Sequence, residues 1–129
     1  MPGADEFFSV LAGDLEVARA HLDLRTVPLG PWPGVPEPDR PVVRLQLLEV
    51  ASGYWGRGIG RATVDHLRFL HPGTRLAAVS VQGAAGFWEA LGWDRFEHRD
   101  GRGRLPLYLA PDSPSAPLAR PASQVRGRG

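Results

Sequence analysis

The chain has 129 residues, with no cysteine and no lysine. Without cysteine there are no disulfides, no thiolate metal sites and no cysteine nucleophile. Without lysine, all 15 basic residues are arginine, beside 16 glycines and 13 prolines. That bias runs through the whole chain, so a lone arginine carries little signal. The net charge of +1 makes no electrostatic case for nucleic-acid binding. No apolar run approaches the roughly 20 residues needed to span a bilayer. The N-terminus lacks a basic stretch followed by an apolar one, so no signal peptide is expected and the expected location is the cytoplasm. The chain has no Gly-x-Ser-x-Gly elbow of the serine hydrolases. Its four histidines, His21, His66, His71 and His98, do not fall at metal-ligand spacing, so no metal is expected.

What remains suits one globular α/β domain over residues 1–110. Hydrophobic residues make up 43% of the chain and charged residues 22%, enough apolar material for one core. Residues 111–129 are Pro, Ser, Ala and Arg, the composition of a disordered tail. Residues 6–24 carry two patterns. Phe7, Leu11, Leu15, Ala18 and Leu22 recur at helical spacing, while Leu15, Val17, Arg19 and His21 alternate after a Gly13-Asp14 turn signal. Periodicity leaves helix and hairpin both open.

The stretch 27–41 holds six prolines and reads as a loop. Residues 42–50, VVRLQLLEV, read as a largely buried central strand. A glycine turn follows, then a helix over 59–70 with Ile59, Thr63, Leu67 and Leu70 on one face, ended by His71-Pro72-Gly73. A strand over 75–81, a short helix over 84–92 stopped by Gly92, and strands over 93–98 and 104–110 complete the order. The strands at 42–50 and 75–81 are predicted to be parallel, joined by the helix between them.

The turn GYWGRGIGRATV, residues 53–64, packs four glycines and two arginines ahead of the helix. Glycines let main-chain N–H groups approach a ligand closely, and a helix start adds partial positive charge. Each amide bonded to a charged oxygen contributes about 1.5–3 kcal/mol. A phosphate or pyrophosphate suits such a turn. The dinucleotide fingerprint fails, because its last position holds Arg61 or Thr63. The nucleoside-triphosphate loop fails as well, because Gly58 precedes Ile59-Gly60 rather than Lys-Ser/Thr. A Gly-x-Gly that merely joins strand to helix is the alternative.

Two features in order widen the reading. Val50 ends a strand, and Gly58-Ile59-Gly60 follows eight residues on. Then Ala84, Phe87, Trp88, Gly92 and Trp93 match Ala-x-x-Phe-Tyr-x-x-x-Gly-Phe, with Trp at the Tyr and final Phe positions. With these motifs residues 42–109 resemble the Gcn5-related N-acetyltransferase family. The resemblance implies a mixed sheet with a central parallel strand pair, and a hairpin rather than a helix over 6–24. It implies acetyl-CoA as acetyl donor and an amine of unknown identity as acceptor. The pyrophosphate would sit on the turn formed by Trp55, Gly56, Arg57, Gly58, Ile59, Gly60 and Arg61. The pantetheine arm would run along Leu48 to Val50, flanked by Phe87 and Trp88. The family begins with a further strand and two helices that this sequence lacks before Phe7, so the expectation is that the sequence starts too late, or that the acceptor side is open, or that a second chain completes it, as in a homodimer.

The sequence departs from the pattern at three positions. Trp55 stands where the family has Gln or Arg, Trp88 where it has Tyr, and Val81 where it often has Asn. Acetyl transfer needs a neutral amine, whose pKa in a free lysine side chain is about 10.4. Glu49, beside the implied thioester, is the candidate base. A carboxylate merely paired with Arg44 or Arg57 is the plainer role for it. Trp88 cannot protonate the leaving thiolate, since indole N–H does not ionise usefully. Tyr54 and Tyr108 are the available phenols. A non-catalytic acyl-CoA-binding or regulatory module is the alternative to an enzyme.

Overall fold

The computed structural model describes residues 3–79 and 85–111. The elements, in chain order, are β1 (Asp5–Ala12), β2 (Leu15–Asp23), β3 (Val42–Val50), a 3-10 turn (Ser52–Tyr54), α1 (Ile59–Leu70), β4 (Arg75–Val79), α2 (Ala85–Ala90), β5 (Asp94–Phe96) and β6 (Leu107–Leu109). They form one six-stranded sheet ordered β1-β2-β3-β4-β6-β5. Residues 6–24 are the antiparallel hairpin, turning at Gly13, whose φ of 65° is a left-handed value that glycine adopts without strain. Among the described residues β3 and β4 are the one parallel pair, and α1 connects them. The expected strand end at 80–81, the Ala84 of the second motif and the tail from residue 112 lie outside the described residues.

Two apolar layers sandwich the sheet. On the first face, Val64 and Leu67 of α1 and Trp88 of α2 pack on Ala20, Leu22, Val43, Leu45, Leu76, Ala78 and Tyr108. Trp88 and Trp93 lie with ring centroids 4.7 Å apart there. On the second face, Val42, Ala77, Leu107 and Leu109 are covered by the proline-rich loop, chiefly by Trp32 with Val27, Leu29 and Val35. The Trp32 indole N–H donates to the Leu105 carbonyl at 3.0 Å, tying that loop to the approach to β6. Loop 27–41 is thus a cover for half of one sheet face.

α1 begins and ends where the sequence indicates, but its buried face is turned relative to expectation. Gly60, Thr63, Val64 and Leu67 are buried, whereas Leu70 is 43% exposed. At the start of the helix Gly60 lies on this buried side, close to the Phe87 ring of α2. The strands expected over 93–98 and 104–110 pair only over Asp94–Phe96 and Leu107–Leu109. β3 is buried only in its first half: Gln46, Leu47 and Glu49 are not buried. At the far end of α1, the His71 Nε2 and Glu6 Oε1 lie 2.8 Å apart, linking the helix terminus to β1.

Candidate functional site

Among the described residues, the parallel pairing of β3 and β4 covers Val42–Arg44 with Arg75–Ala77. Beyond it the strands part. The register between β2 and β3 supplies the cause. His21 opposes Leu47 while Leu22 opposes Leu45, so Gln46 is an extra residue in β3. Such a bulge bends its strand and increases its twist, which turns the second half of β3 away from β4. The Ala51 N–H donates to the Val17 carbonyl at 2.8 Å, which makes the Ala18–Val50 pair the non-hydrogen-bonded kind. The main-chain groups of Leu48 and Val50 therefore point away from β2, into the opening.

The glycine turn lies at the end of the opening. Gly58 is the N-cap of α1 with φ of 79°, and it offers no side chain to the helix start. The Ala62 N–H donates to the Gly58 carbonyl at 3.0 Å, opening the helical ladder. The first turn carries no acidic residue, so nothing negative competes for the helix N-terminus. Gly60 packs closely against α2: a Cβ there would sit 3.0 Å from the Phe87 Cε1. The Arg61 guanidinium donates to the Ala90 carbonyl at 3.0 Å and ties α1 to α2. Arg57 lies 4.8 Å from the centre of the Tyr54 ring.

Turn, opening and α2 enclose a cavity of about 410 Å³. Val50, Trp55, Gly56, Gly58, Ile59, Gly60, Arg61 and Phe87 line it, as do Tyr54, Ala90 and Leu91, which the sequence did not single out as cavity residues. Ala90 and Leu91 could have been found, since they lie three and four residues after Phe87, the spacing of one helix face. A second cavity of about 550 Å³ adjoins, lined by residues 16–19 of β2 and by Leu48, Glu49, Val50, Ala51 and Trp55. Val50 and Trp55 belong to both walls. Nothing in the sequence signals the β2 residues, which come there through strand register.

Other expected residues lie elsewhere. Trp88 is 6% exposed, sits in the core and lines neither cavity. Tyr108 is fully buried: its hydroxyl lies 3.4 Å from the Glu89 carboxylate and 3.4 Å from the Arg95 guanidinium. Tyr54 is the phenol at the first cavity. His98 packs edge-on against Trp32, away from both cavities.

Glu49 is 62% exposed and pairs neither with Arg44 nor with Arg57; its neighbour is the Arg19 Nε at 3.8 Å. The same arginine bonds Glu16 at 3.0 Å. The Ser9 hydroxyl donates to Glu16 at 2.6 Å and, with Arg19, holds that carboxyl below its usual range. Among the described residues, no group of three or more potential ligands could hold a metal ion. No described helix is long and apolar enough to cross a membrane.

No protein-family model matches the chain, and no curated protein matches it. Solved structures do. An acetyltransferase from Thermus thermophilus matches with a TM-score of 0.64 at 24% identity, covering 85% of this chain and 66% of its own. The Bacillus subtilis N-acetyltransferase YlbP in complex with coenzyme A matches with a TM-score of 0.61 at 28% identity, covering 82% of this chain and 68% of its own. An acetyltransferase of the GNAT family from Desulfovibrio desulfuricans matches with a TM-score of 0.57 at 19% identity, covering 85% of this chain and 70% of its own. The chain thus has the fold of the Gcn5-related N-acetyltransferases, as its two motifs imply. It spans about two thirds of the length of the first two of these structures.

Proposed function

We propose that the chain binds acetyl-CoA in the first cavity and transfers the acetyl group to an amine. One observation carries the reading: the uncapped start of α1, the glycine turn and the end of β3 at Val50 line a single cavity. The amides of the turn suit a pyrophosphate. The edge groups of Leu48 and Val50 suit the amides of a pantetheine arm, as a strand edge suits an added strand. The coenzyme A complex of the Bacillus subtilis neighbour supports this choice of ligand.

In this reading Phe87 walls the arm, and Glu49, next to Val50 on the neighbouring cavity, accepts the proton of the incoming amine through water. The amine nitrogen bonds the thioester carbonyl carbon and the C–S bond breaks. The thiolate leaves as the anion, which a thiol pKa of about 8.5 allows, and takes its proton from solvent or from Tyr54. A second reading is favoured by Trp88. With that position buried and unable to ionise, the chain would bind acyl-CoA without turning it over.

Calorimetric titration with CoA and acetyl-CoA, followed by turnover with a panel of amines, separates the readings. Saturable binding at micromolar strength with turnover is the expected result. Binding without turnover leaves the binding module. No binding by the folded chain removes both.

A further inference from the structure

Trp55 is placed unlike the other three tryptophans. Trp32, Trp88 and Trp93 are at most 9% exposed, whereas Trp55 is 69% exposed. Its indole N–H donates to the Val50 carbonyl at 2.8 Å. That carbonyl faces the opening between β3 and β4, not the β2 ladder. Trp55 also lines both cavities, so it is the partition between them. It follows a single turn of 3-10 helix and precedes Gly56, whose φ is 79°. Its main-chain N–H donates to the Ser52 carbonyl at 3.3 Å, and the indole bond to Val50 holds the side chain.

We propose that Trp55 is a displaceable plug. Its indole bonds the backbone acceptor that an amide of the bound arm would use and stands on the wall of the donor cavity, so donor binding displaces it, and its release joins the two cavities into one. This rests on the donor-site reading given above. The chemistry is a like-for-like exchange: one N–H donor on the Val50 carbonyl replaces another. The bond to be broken is a solvent-exposed neutral one, weak enough for a ligand to exchange. Once the indole leaves, Glu49 in the second cavity has an open path to the first. The plug therefore keeps the acceptor side separated from the donor side until a donor arrives.

The sign of one substitution tests this. Trp55→Phe keeps an aromatic ring of similar reach and loses the N–H. A plug competes with the ligand, so its loss tightens CoA binding, by about two- to tenfold for a hydrogen bond of this kind. In the wild type, iodide quenching of tryptophan emission should change on adding CoA, because Trp55 is the exposed indole. Trp55→Phe should lack that change. Equal or weaker CoA binding by Trp55→Phe, with wild-type binding intact, overturns the plug and leaves the donor site standing. Absence of CoA binding by both chains refutes the donor site, and the plug with it.

Discussion

Gly60→Ala asks whether Phe87 borders the ligand or belongs to the core. A Cβ at position 60 would stand 3.0 Å from the Phe87 Cε1, 3.2 Å from its Cζ and 3.8 Å from the Val50 Cγ2. Two effects oppose each other. Alanine in place of a helical glycine stabilises by roughly 0.5–1 kcal/mol. Forcing extra volume into packed surroundings costs about 1–3 kcal/mol. The second cost falls on stability only if the ring cannot move. Phe87 is half-buried, with Trp88 on one side and the first cavity on the other. Its free direction is into the cavity. The expected result is a stability change within about 1 kcal/mol, because yielding spares the fold, and a loss of CoA affinity of about tenfold, because the displaced ring takes the ligand's space. Urea unfolding and calorimetry on the same protein read the two quantities. Phe87→Leu in the same chain should restore binding, and the coupling between the sites should exceed about 0.5 kcal/mol. Wild-type CoA affinity in Gly60→Ala would refute the placement of Phe87 at the ligand. A loss of more than about 3 kcal/mol of stability would show the ring to be locked, and the helix contact to be core packing.

Glu49→Gln should lower turnover at least tenfold with CoA affinity unchanged, as expected for loss of a general base; equal turnover with the best amine removes Glu49 from the chemistry. Trp32→Ala should cost about 3–5 kcal/mol in urea unfolding, since it empties the second layer and strands the Leu105 carbonyl; a cost under about 1 kcal/mol would make loop 27–41 a bystander. Asp5 lies 2.9 Å from His21 and accepts bonds from Arg25 at 3.2 and 3.3 Å, and these partners, His21 first, hold its carboxyl below the ordinary value. A depressed folded pKa contributes stability that is present above the unfolded value of about 3.9 and is lost as pH falls through the folded one. Asp5→Asn should therefore flatten the acid limb of the stability curve below about pH 4; an acid limb identical to wild type would show the cluster to be inert.

The parts of this fold legible in the sequence were those set by local chemistry. Gly58 before α1, and His71-Pro72 after it, fix its limits because a left-handed cap and a proline act on their own neighbours. The hairpin at Gly13-Asp14 left a local trace that periodicity could not separate from a helix, and the family motifs further along the chain decided it. Parts set by register were not legible. Which arginine meets Glu49 depends on the extra residue at Gln46, which shifts Leu45 and Leu47 against Leu22 and His21. No pattern in VVRLQLLEV marks Gln46 as the bulge. The same shift aims the main-chain groups of Leu48 and Val50 into the opening, a shape that the motif at Val50 does not announce. The motif implies Trp88 as a flank of the pantetheine arm, and in the structure its indole packs in the core beside Trp93, a placement the local sequence does not announce.

The second face of the sheet bears on where an acceptor would approach. Loop 27–41 covers it from β6 across β4 to the start of β3, with Trp32 as the anchor. The cover ends where the bulge begins. Across β1, β2 and the second half of β3, that face presents Phe7 stacked on His21, Leu47 at 40% exposure, and the charged chain of Arg19 between Glu16 and Glu49. The charged end of this strip is the wall of the second cavity, and Trp55 is the far wall. A sheet face left open beside a cavity would ordinarily weaken a small domain, since uncovered strands forgo burial. Here Arg19 pairs with Glu16 on its own strand and with Glu49 across to β3, exposed ion pairs that contribute little to stability. The arrangement leaves one approach to Glu49 that does not cross the glycine turn, so donor and acceptor would enter from different sides and meet at Val50. Binding that joins the two cavities would then be the event that brings them within bonding reach, and Trp55, on both walls, is the residue whose movement decides it.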